Sequence, residues 1–380
     1  MNAGEIHETR PSGRPKAEHR LKVHGAMTRR DMLRAVAGLG GGVCVSGLAA
    51  PVGVDPQQSK MGVVIYGLGL HHRHQWASRE SKTPICLAFL EKCHELGAGG
   101  IQYPFTTKDA DVVADVRRRA DQYGMHVEAI LNLPAIDSEL DEFEHQVRIA
   151  KEVGADAART VMLPGRRYEQ FTSYAEFKAF EQRGLERLQR VEPIVSRHRF
   201  RLAVENHKDQ RVAEKLETLR RLDSEFIGLC VDVGNNFPLL EDPVETMRAF
   251  APWAFTVHLK DQAVRASAHG FLMADVALGE GCLDLPDIVA ILRAAKPQVR
   301  FNYETITRDA LSVPVLTDGF WATLPDTPAR ELARTLAIVK NRPYPRPFVA
   351  VSQLTIEQQL RLELEYLESS LAYARERLGL

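Results

Sequence analysis

From Met61 onward, short apolar runs alternate with longer stretches in which apolar residues recur every three or four positions. The first pattern is that of buried strands and the second that of amphipathic helices. Strand-like runs fall at Gly62–Leu68, Gly100–Tyr103, His126–Leu131, Ala157–Leu163, Phe200–Glu205, Ile227–Asp232, Phe255–Leu259 and Val299–Glu304. The helical stretches between and after them are Pro84–Leu96, Lys108–Tyr123, Ser138–Val153, Tyr174–Arg197, Val212–Leu222, Val244–Phe250, Leu285–Ala294 and Thr327–Val339. Gly97, Gly124 and Gly154 each close a helix, as expected where the chain must turn left-handed. Eight such units predict an α/β fold, a (β/α)8 TIM barrel, because alternating strands and helices imply a parallel sheet and eight repeats let it close. The alternative is an open doubly wound sheet, but no G-x-G-x-x-G follows the first run: Gly67 and Gly69 are succeeded by histidines.

The two ends differ from this repeat. Ile356, Leu360, Leu364, Leu367, Leu371, Ala374 and Leu378 form one stripe of a C-terminal amphipathic helix. This additional helix is expected to pack on the barrel or, preferably, to join two copies of the chain as a homo-oligomer. At the other end, Thr28-Arg29-Arg30-Asp31-Met32-Leu33 precedes a Gly-rich apolar run from Ala35 to Ala50 and then Pro51. That run is short for a membrane span. It resembles a twin-arginine signal, so the expected partner is the twin-arginine export machinery and the expected location is periplasmic or extracytoplasmic. The anticipated division is therefore a leader and signal over 1–50, a barrel over 51–345 and a helical extension over 346–380.

Composition narrows the function. The net charge of −1 becomes −5 once residues 1–50, with eight Lys/Arg and four Asp/Glu, are removed. An acidic chain of this kind is not expected to bind nucleic acid. The five cysteines contain no C-x-x-C pair, and they are read as buried thiols.

Candidate chemistry gathers at strand ends, where barrels of this type carry their working residues. Glu205, Asp232, His258 and Glu304 end four consecutive strands. Three carboxylates and an imidazole suit one divalent metal ion, with Mn²⁺ favoured by the oxygen-rich set and Mg²⁺, Co²⁺ or Zn²⁺ also compatible. Glu205 and Glu304 are also candidate acid and base, with His207 on the same strand face as Glu205 an alternative base. Lys260, two residues beyond His258, is a candidate for stabilising developing negative charge. His71 and His72, in a loop after the first strand, together with Asn235 and Arg159, are candidate substrate contacts. Gln102 and Glu128 also sit on strands that could line the site, and Arg166-Arg167 could meet an anionic substrate.

The segments Glu205-Asn-His, Cys230-Val-Asp-Val-Gly-Asn235, Val257-His-Leu-Lys-Asp261, Gly279-Glu-Gly-Cys-Leu-Asp284 and Tyr303-Glu304 resemble the xylose-isomerase-like TIM-barrel superfamily, also called sugar phosphate isomerase/epimerase proteins. The resemblance covers about residues 61–340. It implies a metal held by Glu205, Asp232, His258 and Glu304 and, as in the ketose 3-epimerases of that group, proton exchange by the two glutamates on opposite faces of the substrate. Those epimerases carry a His three residues after the metal Asp and an Arg six after the metal His; here the places hold Asn235 and Val264. The function expected is a metal-dependent isomerase or epimerase of a small carbohydrate. A lyase or dehydratase of keto-sugars, inososes or 3-keto-glycosides is the alternative, and a carbohydrate-binding barrel without catalysis is a third.

Overall fold

A computed structural model describes residues 58–77 and 83–380; the twin-arginine motif and the signal segment lie outside the described residues. Eight parallel strands close into a barrel: β1 (Gly62–Val64), β2 (Gly100–Tyr103), β3 (His126–Ile130), β4 (Ala155–Thr160), β5 (Leu202–Glu205), β6 (Ile227–Asp232), β7 (Ala254–Leu259) and, after an inserted hairpin, β10 (Arg300–Tyr303). The hairpin is β8 (Asp261–Ser267) and β9 (Gly270–Val276), and β11 (Leu311–Val313) extends it into a three-stranded antiparallel sheet. The barrel strands are largely buried on both faces because helices cover the outside and side chains, several of them polar, fill the inside.

The helices are α1 (Ile85–Glu95), α2 (Ala110–Tyr123), α3 (Leu140–Glu152), α4 (Tyr174–His198), α5 (Val212–Leu222), α6 (Pro243–Phe250), α7 (Leu285–Ala295), α8 (Ala329–Asn341) and α9 (Ile356–Tyr373). Their limits have local causes. Asp109 accepts hydrogen bonds from the backbone N–H of Asp111 and Val112 to start α2, and Gly124 ends it at φ 65°. Asp242 caps α6 in the same way, with Pro243 at its first position.

Two expectations are corrected. The eighth helix of the barrel is not Thr327–Val339. That stretch, α8, packs its Leu332, Leu336, Ile338 and Val339 against Val264, Phe271 and Phe320 in a separate cluster beneath the hairpin. Instead α9 and the turn after it supply Leu367, Leu371, Ala374, Leu378 and Leu380 to the main barrel core. Arg293 of α7 donates to the carbonyls of Leu378 and Gly379, and Glu363 of α9 accepts from the backbone N–H of Leu70 and His71, just beyond β1. Thus α9 closes the ring of helices between the last and the first strand, and its stripe is largely consumed inside the chain; Ile356, at the start of the stripe, is 49% exposed. The second correction is the hairpin. The segment after β7 shows no period of two: Asp261 to Val264 are all buried and Arg265 and Ala266 both exposed, so no alternation marks it as a strand.

Candidate active site

Glu205 and Asp232 are the last residues of β5 and β6, His258 is next to last in β7, and Glu304 directly follows β10. All four are buried, and one ligand-capable atom from each lies within 4.8 Å of the others. Backbone pairing produces this convergence: Asp232 is level with His258 across β6 and β7, and the Glu304 N–H donates to the Leu259 carbonyl. Asn206 ties two of the strand ends together. Its side-chain amide donates to the Asp232 carbonyl at 2.8 Å and accepts from the Asp232 N–H at 2.7 Å. The Asp261 carboxylate, next to Lys260, accepts backbone bonds from Gln262, Gly279, Gly281 and Leu283. A Cβ at Gly281 would stand 2.1 Å from that carboxylate, which explains a glycine at this point of the Gly279–Asp284 segment.

The site is strongly charged. Arg159 bonds to Glu205, with 2.5 Å between its Nε and the carboxylate. Lys260 Nζ lies 2.6 Å from Asp232 and 2.7 Å from Glu304. Three carboxylates therefore face two close cations. Burial works against ionisation of Glu205 and Glu304, but Arg159 holds the first below the ordinary carboxylate range, and His258 with Lys260 hold the second well below it. Burial, reinforced by the two glutamates, pushes Asp232 up to about 7 despite Lys260.

Beneath this layer lies a second polar layer. Glu128 Oε2 accepts from Gln102 Nε2 at 2.9 Å, Thr256 Oγ1 at 2.7 Å and Asn302 Nδ2 at 2.8 Å. Because the Gln102 amide nitrogen points to Glu128, its oxygen faces His258 Nε2 at 2.8 Å. The Nε2–H of His258 then donates to Gln102, so Nδ1 is the ring nitrogen turned toward the carboxylates and the one that a metal would take in place of its proton. Nδ1 lies 3.2 Å from Glu304 and 3.8 Å from Glu205 and makes no hydrogen bond. A buried imidazole nitrogen without a bond, among three carboxylates, fits a divalent cation at this position. Glu205, Asp232, His258 and Glu304 could hold it.

A cavity of about 310 Å³ opens above the cluster; its wall includes Tyr66, Arg159, His207, Lys208, Lys260 and Glu304. The xylose isomerase-like TIM barrel family matches residues 90–337, well over half of the chain. The chain belongs to that family. The 3-oxo-isoapionate decarboxylase of Pectobacterium atrosepticum is 27% identical over 215 residues, covering 55% of this chain and 73% of the relative. The structure of an L-ribulose 3-epimerase superposes with a TM-score of 0.52 at 14% identity, over 84% of this chain and 96% of that one. A xylose isomerase-like TIM barrel protein from Mycobacterium smegmatis, in complex with magnesium, matches with a TM-score of 0.49 at 14% identity over 76% and 98% of the two chains.

Within this family fold, the structure brings Glu205, Asp232, His258, Glu304, Lys260, His207, Arg159 and Asn235 to one place. His207 Nδ1 donates to the Leu163 carbonyl at 3.0 Å, leaving Nε2 3.9 Å from Glu205. Asn235 donates to Glu205 at 3.1 Å. His71 and His72 are not at the cavity. His71 is buried with its Nδ1 2.8 Å from Glu363, where it fastens α9 to the barrel, because the chain after β1 winds into short helical turns rather than an open loop. Nor do Gln102 and Glu128 line the cavity; they support His258 from below. Arg167 is buried between Glu214 and the ring of Phe177 and is structural, whereas Arg166 reaches the cavity wall. Lys208, Tyr66 and Arg308 also line it. No periodicity marks these three, since each lies just past a strand end where loop geometry decides its aim.

Proposed function

We propose that this protein is a divalent-metal-dependent enzyme that labilises a bond next to the carbonyl of a small keto-sugar, with isomerisation or epimerisation as the reaction. One observation carries the reading: His258 Nδ1 is left without a hydrogen bond among three strand-end carboxylates, directly under a cavity walled by Glu304, Lys260 and His207. A bound divalent cation would supply Lewis acidity to the substrate carbonyl and a neighbouring hydroxyl.

The chain's own groups account for the proton. Glu304 lines the cavity and, held ionised, can take a proton from carbon beside the carbonyl. Lys260, whose pKa the carboxylates of Asp232 and Glu304 raise against the effect of burial, stays charged and can stabilise the developing oxyanion. Burial lowers His207 to about 4, so its Nε2 is a neutral acceptor at pH 7. Glu205 lies deeper, beneath Arg159 and Asn235. It is the second carboxylate for the return of the proton.

The test is incubation of the Mn²⁺-supplemented protein with ketoses, inososes and 3-keto-glycosides in D₂O, followed by NMR. Deuterium entering beside the carbonyl with the carbon skeleton intact supports the reading. No exchange across the panel, in protein that retains metal, overturns it. A second reading, a lyase that expels carbon dioxide, water or an aglycone from a similar substrate, is favoured by the resemblance to the 3-oxo-isoapionate decarboxylase. In the same spectra it would show as loss of that group.

A further inference from the structure

The cavity wall is cationic to a degree that the cluster below does not require. Arg159 and Lys260 are engaged by the strand-end carboxylates, but Lys208, Arg166 and Arg308 line the same cavity, and Glu304 is the single carboxylate lining it. Lys208 is the decisive residue. It is 4% exposed, its ammonium bonds to the amide oxygen of Asn235, and among the described residues it forms no ion pair. A buried ammonium without a carboxylate partner is costly, and proteins rarely keep one without a use.

The loop is built to hold it there. Lys208 takes a left-handed backbone, φ 58°, which is unfavourable for a residue with a Cβ. Its carbonyl accepts from the Arg167 N–H at 3.0 Å. On either side, the Asp209 carboxylate accepts from the His207 and Gln210 N–H groups and from buried Lys215, whose ammonium also reaches the Glu205 carbonyl. The turn that aims Lys208 is thereby anchored to the strand end carrying Glu205. Arg308 is only loosely held by Asp275, at 3.7 Å, and keeps donors available. Arg166 is taken up by Glu169 at 2.6 Å.

We propose that Lys208 and Arg308 form an anion subsite, and that the substrate is a sugar acid whose carboxylate is held there while its carbonyl end lies over Glu304 and Lys260. The proposal rests on the enzymatic reading above for what happens at the carbonyl end. The volume of about 310 Å³ is at the lower end of ligand pockets, roughly 300–1,000 Å³, and suits a monosaccharide acid rather than an oligosaccharide. Tyr66, stacked under the Arg159 guanidinium at 5.6 Å, offers the sugar an aromatic face.

Calorimetric binding to the full chain as purified tests this, with erythronate, xylonate and gluconate set against the uncharged erythritol, xylitol and glucitol. At least one aldonate is expected to bind ten times or more tighter than its alditol. Lys208→Met and Arg308→Met are expected to remove that preference, with metal content and thermal midpoint as controls for folding. An aldonate that binds no better than its alditol overturns the proposal. So does a preference that survives both substitutions, which would assign the carboxylate to the metal cluster. Failure of deuterium exchange with a persisting, Lys208-dependent preference would instead sink the enzymatic reading and leave the subsite standing.

Discussion

Two polar layers stacked inside one barrel are held together differently. In the lower one, Gln102, Glu128, Thr256 and Asn302 are joined through Glu128, and His126 completes the set through Asn302 at 3.1 Å. In the upper one, His258 Nδ1 goes without a hydrogen bond, Asp232 is poised about neutrality and Lys208 lacks an ion partner. The lower layer gathers three neutral donors on one carboxylate oxygen, although Glu128 Oε1 is left without a bond, whereas the upper layer sets charges of both signs against one another and keeps groups open to something from outside. The contrast also shows how the two are coupled, since Gln102 belongs to the lower layer yet sets the tautomer of a residue in the upper one.

The largest expected effect breaks the upper layer alone. Glu304→Gln should lower proton exchange by about a thousandfold while leaving the thermal midpoint within a few degrees, as read by D₂O exchange and calorimetry. A variant equally impaired in stability would place Glu304 with the structural groups. Conversely, Glu128→Leu should cost about 3 kcal/mol in denaturant unfolding, because three buried donors lose their acceptor. Stability unchanged in that variant would mean the lower layer contributes nothing.

Acid provides a related test. Burial, with help from nearby Arg300, lowers His126 from 6.5 to about 4 in the folded state. The unfolded chain therefore binds more protons between those values, so this contribution is intact above pH 6.5 and declines as pH falls toward 4, by at most about 3 kcal/mol. His126→Gln should flatten that part of the stability profile.

Coupling between the layers predicts a smaller effect. Gln102→Leu, which frees the His258 tautomer, should weaken divalent metal affinity by about 10- to 100-fold, measured by competition with a chelator. Smallest of all, Glu363→Gln should loosen α9 by about 1–2 kcal/mol, visible as faster amide exchange confined to 356–378.

Much of this was legible beforehand because strand periodicity is local. Alternation sends every second side chain to the same side, and a polar residue ending an apolar run must lie at the barrel mouth; Glu205, Asp232, His258 and Glu304 could be picked out on that basis. Helix α8 shows where such reasoning stops. Its amphipathic pattern is as clear as that of α9, and nothing local states which of the two covers the gap beside β1.

The alternation of elements, the closed parallel barrel it implies and the residues that end its strands are readable from the chain alone, since they follow from backbone geometry and the period of apolar positions. Contacts between distant segments emerge only in the folded chain: α9 as the eighth helix, His71 as its anchor to Glu363, Gln102 as the support of His258, and Lys208 aimed into the cavity. The physical reason is the same in each case. Periodicity says which face of an element is buried, but only packing says against what.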